Sequence, residues 1–197
     1  MANMESTHDA IASAALELFA AKGYAGTSVR DIAEIMGLTK AGVSYHFPAK
    51  EDLLHYLVDP VLDAVEELID RSSGSGPDSA REVLASYLQL MLEYRMQFAV
   101  VVNDPAVAHH ALLGPRIDEQ HRRLRALLVG ADADPADDVR AAAALGALRP
   151  PVLAYPWVDP GDIEDVVLDA AMAVLANASA VPSPTRRRPL RQRRPQR

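Results

Sequence analysis

Apolar residues recur along this chain three and four positions apart, the spacing of amphipathic helices, and no segment alternates as a half-buried strand does. Ile11, Ala15, Leu18 and Phe19 mark one face of a helix over 5–22, ended by Gly23. Val29, Ile32, Ala33 and Met36 form the inward stripe of a short second helix. Thr27 or Ser28 can cap it, and Asp31, three residues after Ser28, completes a variant of the capping box. Gly37 stops it, because left-handed backbone costs least without a Cβ. Leu38 anchors the turn, Thr39 is the next N-cap, and Val43 and Phe47 hold a third helix on the core. Ala33 and Gly42 are small where those two helices are expected to meet. A longer helix over 49–71 turns Leu53, Leu54, Leu57, Val61, Val65, Leu68 and Ile69 inward, with Pro60 inside it expected to kink it or thin its hydrogen bonds.

A Ser/Gly/Pro loop over 72–77 separates this set from the longest apolar helix, capped by Asp78 or Ser79 and running to about Asn103. Its one narrow polar strip is Glu82, Ser86, Gln89, Glu93 and Gln97, so most of its surface is expected to be buried. Arg95 is the exception, falling in the middle of the stripe of Leu84, Leu88, Met91, Phe98 and Val102. A guanidinium there needs a partner. Either an acidic side chain of another helix pairs with it, or it lines a cavity and holds an anionic or carbonyl-bearing ligand. In the second reading Tyr87, Met91, Tyr94 and Phe98 supply the walls, with His109 or His110 beside them.

Asn103-Asp104-Pro105 opens a short helix through His110, ended by Gly114-Pro115, and another follows over 115–129 with Ile117, Leu124, Leu127 and Leu128 inward. Asp134-Pro135 starts a helix whose small face carries Val139, Ala142, Ala143, Leu145 and Gly146, and Pro150-Pro151 is expected to interrupt or end it. After a turn-rich stretch from Tyr155 to Gly161, Asp162 caps a last helix with the stripe Ile163, Val166, Val167, Ala170, Val174, Leu175 and Ala178. The expected fold class is therefore all-α.

At 197 residues the chain can bury one sizeable core or two small ones. It has no cysteine, hence neither a disulfide nor a thiolate metal site. His109, His110 and His121 lack metal-ligand spacing and are read as surface residues, so no metal is expected. No Gly-rich phosphate loop and no nucleophile–base pattern is seen, which argues against an enzyme, and no catalytic residue or cofactor is predicted. Residues 1–10 are polar and no apolar run approaches a membrane span, so a soluble cytoplasmic protein with no membrane partner is expected. The formal charge is −7, although seven arginines between Arg186 and Arg197 sit in a Pro/Arg-rich tail expected to be disordered. The acidity left behind lies largely over 51–70 and 132–169. An acidic body repels DNA and directs docking to one end of the molecule.

That end is residues 27–47. Two short helices joined by a glycine turn, the second opening with small and polar residues, are how a helix-turn-helix reader of the major groove looks in one dimension. Thr39, Lys40, Ala41, Gly42, Ser44, Tyr45 and His46 are left to face outward. Small residues let a helix sit deep in the groove, and Lys40 can reach guanine acceptors or a phosphate. Tyr45 and His46 suit phosphate or sugar contacts. Arg30 is a further candidate for base or phosphate, with Thr27 and Ser28 at the same helix end. Lys50, just after Pro48, can clamp a phosphate beside free N–H groups.

Flanking residues extend the pattern. Ile11 to Ala20, Gly23-Tyr24, Thr27 to Ala33, Gly37-Leu38-Thr39, Val43 to Phe47 and Lys50 to Leu54 closely resemble, in order and spacing, the N-terminal domain of the tetracycline-repressor (TetR) family of bacterial transcription regulators. The match covers about residues 8–57. The resemblance implies a homodimeric regulator, usually a repressor, released from a double-stranded DNA operator by a small-molecule effector. It implies that Thr39 to His46 is the recognition helix, that Tyr45 and Lys50 touch phosphates, and that Arg30 approaches a base. It further implies dimerisation through the last two helices as a four-helix bundle. Few cations in the matched region and the long basic tail depart from the family pattern. The expected organisation is a DNA-binding domain over 1–50, a ligand-binding and dimerisation domain over 51–180, and the tail over 181–197.

Overall fold

A computed structural model describes residues 6–73, 80–154 and 159–176. The expected tail, most of the loop after Ser73, and Tyr155 to Val158 lie outside the described residues. Among those described, all regular structure is helical: α1 Thr7–Lys22, α2 Val29–Met36, α3 Lys40–His46, α4 Lys50–Ser72, α5 Ala80–Glu93, α6 Arg95–Asn103, α7 Pro105–Ala108, α8 Leu113–Val129, α9 Pro135–Ala154 and α10 Pro160–Ala176.

The short helices at the N-terminal end are set by local hydrogen bonds. Ser28 accepts from the Asp31 amide while the Asp31 carboxylate accepts from the Ser28 amide at 2.7 Å, a reciprocal capping box. Gly37 ends α2 at φ 64°, in the left-handed region. Thr39 Oγ1 accepts from the Gly42 amide at 3.0 Å and starts α3. The Asp52 carboxylate reaches back to the Ala49 amide and starts α4.

Four expectations are corrected. The apolar run after Ser79 is two helices, because the chain turns at Tyr94 (φ −103°, ψ 35°). Pro150 and Pro151 are carried inside α9, where Leu148 and Val152 on either side are fully buried. Packing there outweighs the hydrogen bonds that proline removes. Gly114 and Pro115 belong to the first turn of α8 instead of ending the helix before it. A Cβ on Gly114 would meet the Ala108 carbonyl oxygen at 2.6 Å, so glycine serves close approach there. Gly42 does not separate two helices: a Cβ on it would make only ordinary contact with Thr39 and Leu38 of its own turn.

Two cores result. The first gathers Ile11, Phe19, Ile32, Val43, Leu53, Leu54 and Val58 from α1–α4, and with them Val100 and Val101 of α6, Val107 of α7, and Leu113 and Ile117 of α8. The second gathers Val65 and Ile69 of α4, most of α5, Phe98, Leu124, and the inner faces of α9 and α10. The turn at Tyr94 lets one apolar run serve both: Met91 and Phe98 close the body core, and Val100 and Val101 close the head. α4 also spans both, and α8 is fastened along it by Arg116–Asp63, Arg123–Glu66 and Arg123–Asp70 pairs. Gln120 adds a 2.7 Å bond to the Leu62 carbonyl.

Candidate nucleic-acid interface

The seven outward candidates of α3 occupy graded positions. Thr39, Lys40, Ala41 and Tyr45 are exposed, and Tyr45 stands 85% exposed, an unusual setting for a ring with no binding role. Gly42 and Ser44 are half-buried. His46 is half-buried between the rings of Tyr45 and His8. His8 also packs on Phe47 at 4.1 Å, so α1 braces the end of α3. Ser28 and Arg30 are exposed at the start of α2.

Two candidates are engaged elsewhere. Thr27 is buried, and its hydroxyl donates to the carbonyls of Gly23 at 2.9 Å and Leu18 at 3.3 Å. Its side chain locks the turn before α2 and does not reach the surface. Lys50 donates to the carbonyls of Tyr24 at 2.7 Å and Thr27 at 2.9 Å, with its ammonium 4.1 Å from the centre of the Tyr24 ring. Its cation therefore ties the start of α4 to the α1–α2 turn.

The sequence reading missed Asp104. This buried carboxylate accepts from the Tyr24 amide across eighty positions of chain and, through its other oxygen, from the Ala106 amide at 2.8 Å. Asp104 thus ties the end of α6 to the turn that Lys50 grips from the other side. Its local signal, an Asp before a proline, spoke only for a helix start.

The ligand candidates do not line one cavity. Tyr87 and Phe98 meet edge to face at 5.8 Å and border a space of only about 20 Å³, beside Gln120 and His121. Met91 is closed inside the body core. Tyr94 lines a separate, open groove of about 520 Å³ between α4 and α6, with His55, Pro60 and Gln97. Arg95 is half-buried at the start of α6, and His109 is exposed with Nδ1 2.8 Å from the Pro105 carbonyl. A wheel drawn for one continuous helix fails beyond Tyr94, which is why these side chains part.

The body instead holds a polar cluster that periodicity did not reveal. An Arg149 N–H donates to His121 Nε2 at 3.0 Å, while Arg149 Nε is buried without a hydrogen bond among the described residues. Burial, then the charges of Arg149 and Arg125, pushes the His121 imidazole down to about 4. Burial raises the neighbouring Tyr87 hydroxyl, against the pull of Arg149.

A helix-turn-helix head of this form on an all-helical body defines a class of DNA-binding regulators. Residues 11–57 match the family model described as bacterial regulatory proteins, tetR family. That match takes in the N-terminal head alone, 47 of the 197 residues. It is 32% identical over 91 residues to the "Probable HTH-type transcriptional regulator YttP" of Bacillus subtilis, covering 46% of this chain and 44% of that one. It is 43% identical over 54 residues to the HTH-type transcriptional regulator RutR of Escherichia coli, covering 27% and 26%. The matched segments thus span less than half of these relatives' lengths. Among solved structures, SCO3833 of Streptomyces coelicolor shares the fold with a TM-score of 0.69 at 22% identity, over 89% of this chain and 92% of that one. The ketosteroid transcriptional regulator KstR2 of Mycobacterium tuberculosis does so with a TM-score of 0.66 at 19% identity, over 88% and 95%. No helix among the described residues is long and apolar enough to cross a membrane.

Proposed function

We propose that this chain is a transcriptional repressor that binds a palindromic operator as a homodimer and is released by a small molecule. The observation that carries the DNA reading is the outer face of α3, where Lys40, Ala41 and the almost fully exposed Tyr45 stand together behind a Thr39 cap. Small residues allow close approach to base edges, Lys40 supplies base or phosphate contact, and Tyr45 a phosphate contact. Ser28, Arg30, Gly42, Ser44 and His46 border that face. Thr27 contributes by shaping the turn, and Lys50 first by positioning it, with one ammonium donor left for a phosphate.

The dimer is assigned to α9 and α10. Ile163 and Val167 pack within the chain, but Val139 and Val166 are 66% and 69% exposed, alongside exposed Ala142, Ala143 and Ala170. A Cβ on Gly146 would meet nothing within 4 Å outside its own helix turn among the described residues, as suits a surface left small for a second copy. The effector is assigned to the body between α4, α5, α6 and α8. Arg149, with an unmet N–H beside His121, would anchor an anionic or carbonyl-bearing group once the small space beside Tyr87 and Phe98 opens. For release, the effector must favour a dimer whose heads are spaced wrongly for DNA, with α4 as the shared element.

The test is selection of genomic DNA by the purified protein at two salt concentrations, with wild type and with Tyr45→Ala plus Lys40→Ala. A palindrome recovered by wild type and lost in the variant supports the reading. Recovery of sequence-indifferent, salt-sensitive DNA, unchanged in the variant, rejects it.

A further inference from the structure

Glu51 and His55 lie on α4, and His110 lies between α7 and α8. Each offers one ligand atom, and the three atoms lie within 4.8 Å of one another. Glu51 and His55 are one turn apart on α4, so helix geometry alone puts them on one face. His110 arrives from the turn between α7 and α8, with Nε2 3.1 Å from Glu51 Oε1 and its ring edge to face with His55 at 5.5 Å. A second feature bears on the same group. Asp59, a further turn along α4, sits 3.1 Å from His55 Nδ1. A carboxylate on one imidazole nitrogen keeps the proton there and presents the lone pair of the other, the arrangement that orients metal-ligating histidines.

We propose that Glu51, His55 and His110 bind a divalent transition-metal ion of the zinc class, with Asp59 positioning His55. Two imidazole nitrogens and one carboxylate oxygen suit such an ion and leave a fourth position for water. His110 Nδ1 lies 3.4 Å from the amides of Leu112 and Leu113, so in the metal-free protein Nε2 carries the proton and donates to Glu51. Binding the ion needs the other tautomer: the proton leaves Nε2 for Nδ1 through solvent, the Nε2 lone pair goes to the metal, and Nδ1 turns away from its two long amide contacts. The site joins the first two turns of α4 to the α7–α8 turn, close in sequence to the Lys50 and Asp104 ties. A bound ion would therefore pin the head at the joint where it meets α6–α8. This reverses the sequence expectation of no metal, which weighed His109, His110 and His121 and left out the Glu51/His55 pair.

The experiment is calorimetric titration of the full chain with zinc chloride, paired with cobalt chloride to read the visible absorption of a low-symmetry Co(II) site. One ion per chain is expected, with the cobalt band lost in both His55→Ala and His110→Ala. Asp59→Asn should keep the stoichiometry and weaken affinity by about 10- to 100-fold. Circular dichroism of each variant without metal separates lost ligands from lost fold, and Glu51→Gln, at an exposed position, is the variant least exposed to that objection. Zinc binding unchanged in the His55→Ala/His110→Ala double variant would overturn the proposal, because other histidines would then hold the ion. So would the lack of a saturable site at micromolar metal, which means an adventitious ion only.

Discussion

The head core and the body core are both helical and both closed by leucine, isoleucine and valine, yet they recruit residues differently. Most of the head comes from one continuous stretch, α1 to the first half of α4, and its short helices are set by bonds within three residues, Ser28 with Asp31 and Thr39 with Gly42. The body is assembled from α4, α5, α8, α9 and α10 with Phe98 of α6, and some of its polar pairs reach across long separations, Arg149 with His121 and Arg81 with Asp169. The difference teaches where the molecule is coupled. The head borrows Val100, Val101, Val107, Leu113 and Ile117 from beyond α5, so its core is shared with the body's helices, and a change on α6–α8 reaches α1–α3 through packing as well as through Asp104.

The largest test of that borrowing is Leu113→Ala. Leu113 is 2% exposed and far in sequence from α3, yet it lies in the head core. The substitution should cost about 2–5 kcal/mol in urea denaturation. It should also raise hydrogen exchange at the amides of α1 and α2, and loss confined to α8 would break the comparison. Next comes Asp104→Asn, which replaces a charged acceptor at the Tyr24 amide by a neutral one. A loss of about 1.5–3 kcal/mol is expected, with faster exchange at the Tyr24 amide and little change in α9 and α10.

The body has its own pH signature. His121 is held neutral in the fold, down at about 4 against an ordinary 6.5. The unfolded chain therefore binds more protons between those values, and stability falls as pH drops from about 6.5 toward 4. The contribution is on the order of 2 kcal/mol, and His121→Gln should flatten the stability–pH curve over that window. The smallest effect belongs to the head. Gly42→Ala should raise stability by at most about 1 kcal/mol, since Ala is the better helix former and the added Cβ meets only its own turn. Thermal melts check this. A marked loss of stability would show that Gly42 serves packing, as its sequence suggested.

The legible parts of the site were those whose partners lie within one turn. The Ser28 capping box, the left-handed Gly37 and the Thr39 cap could be read directly, and with them the limits of α2 and α3. Thr27 could be read as a cap as easily as Ser28, because nothing in the local pattern says which hydroxyl turns inward to Gly23 and Leu18. Lys50 carried a helix-start signal and a charge, and the Tyr24 and Thr27 carbonyls that take that charge lie more than twenty positions away. The wheel through Arg95 failed for a similar reason: apolar spacing continues unbroken past Tyr94 while the core being served changes.

By itself, then, the order of residues determined the helical class, the caps and turn of the head, and the small, polar outer face of α3, because hydrogen bonds and periodicities of three to four residues are written locally. Tertiary structure alone decided that the apolar run turns at Tyr94, between α5 and α6, to close two cores and that Pro150-Pro151 stays helical. It also decided that Asp104 meets Tyr24 and that Glu51, His55 and His110 converge. These outcomes depend on which surfaces packing brings together across fifty or eighty residues, and no local preference specifies such a meeting.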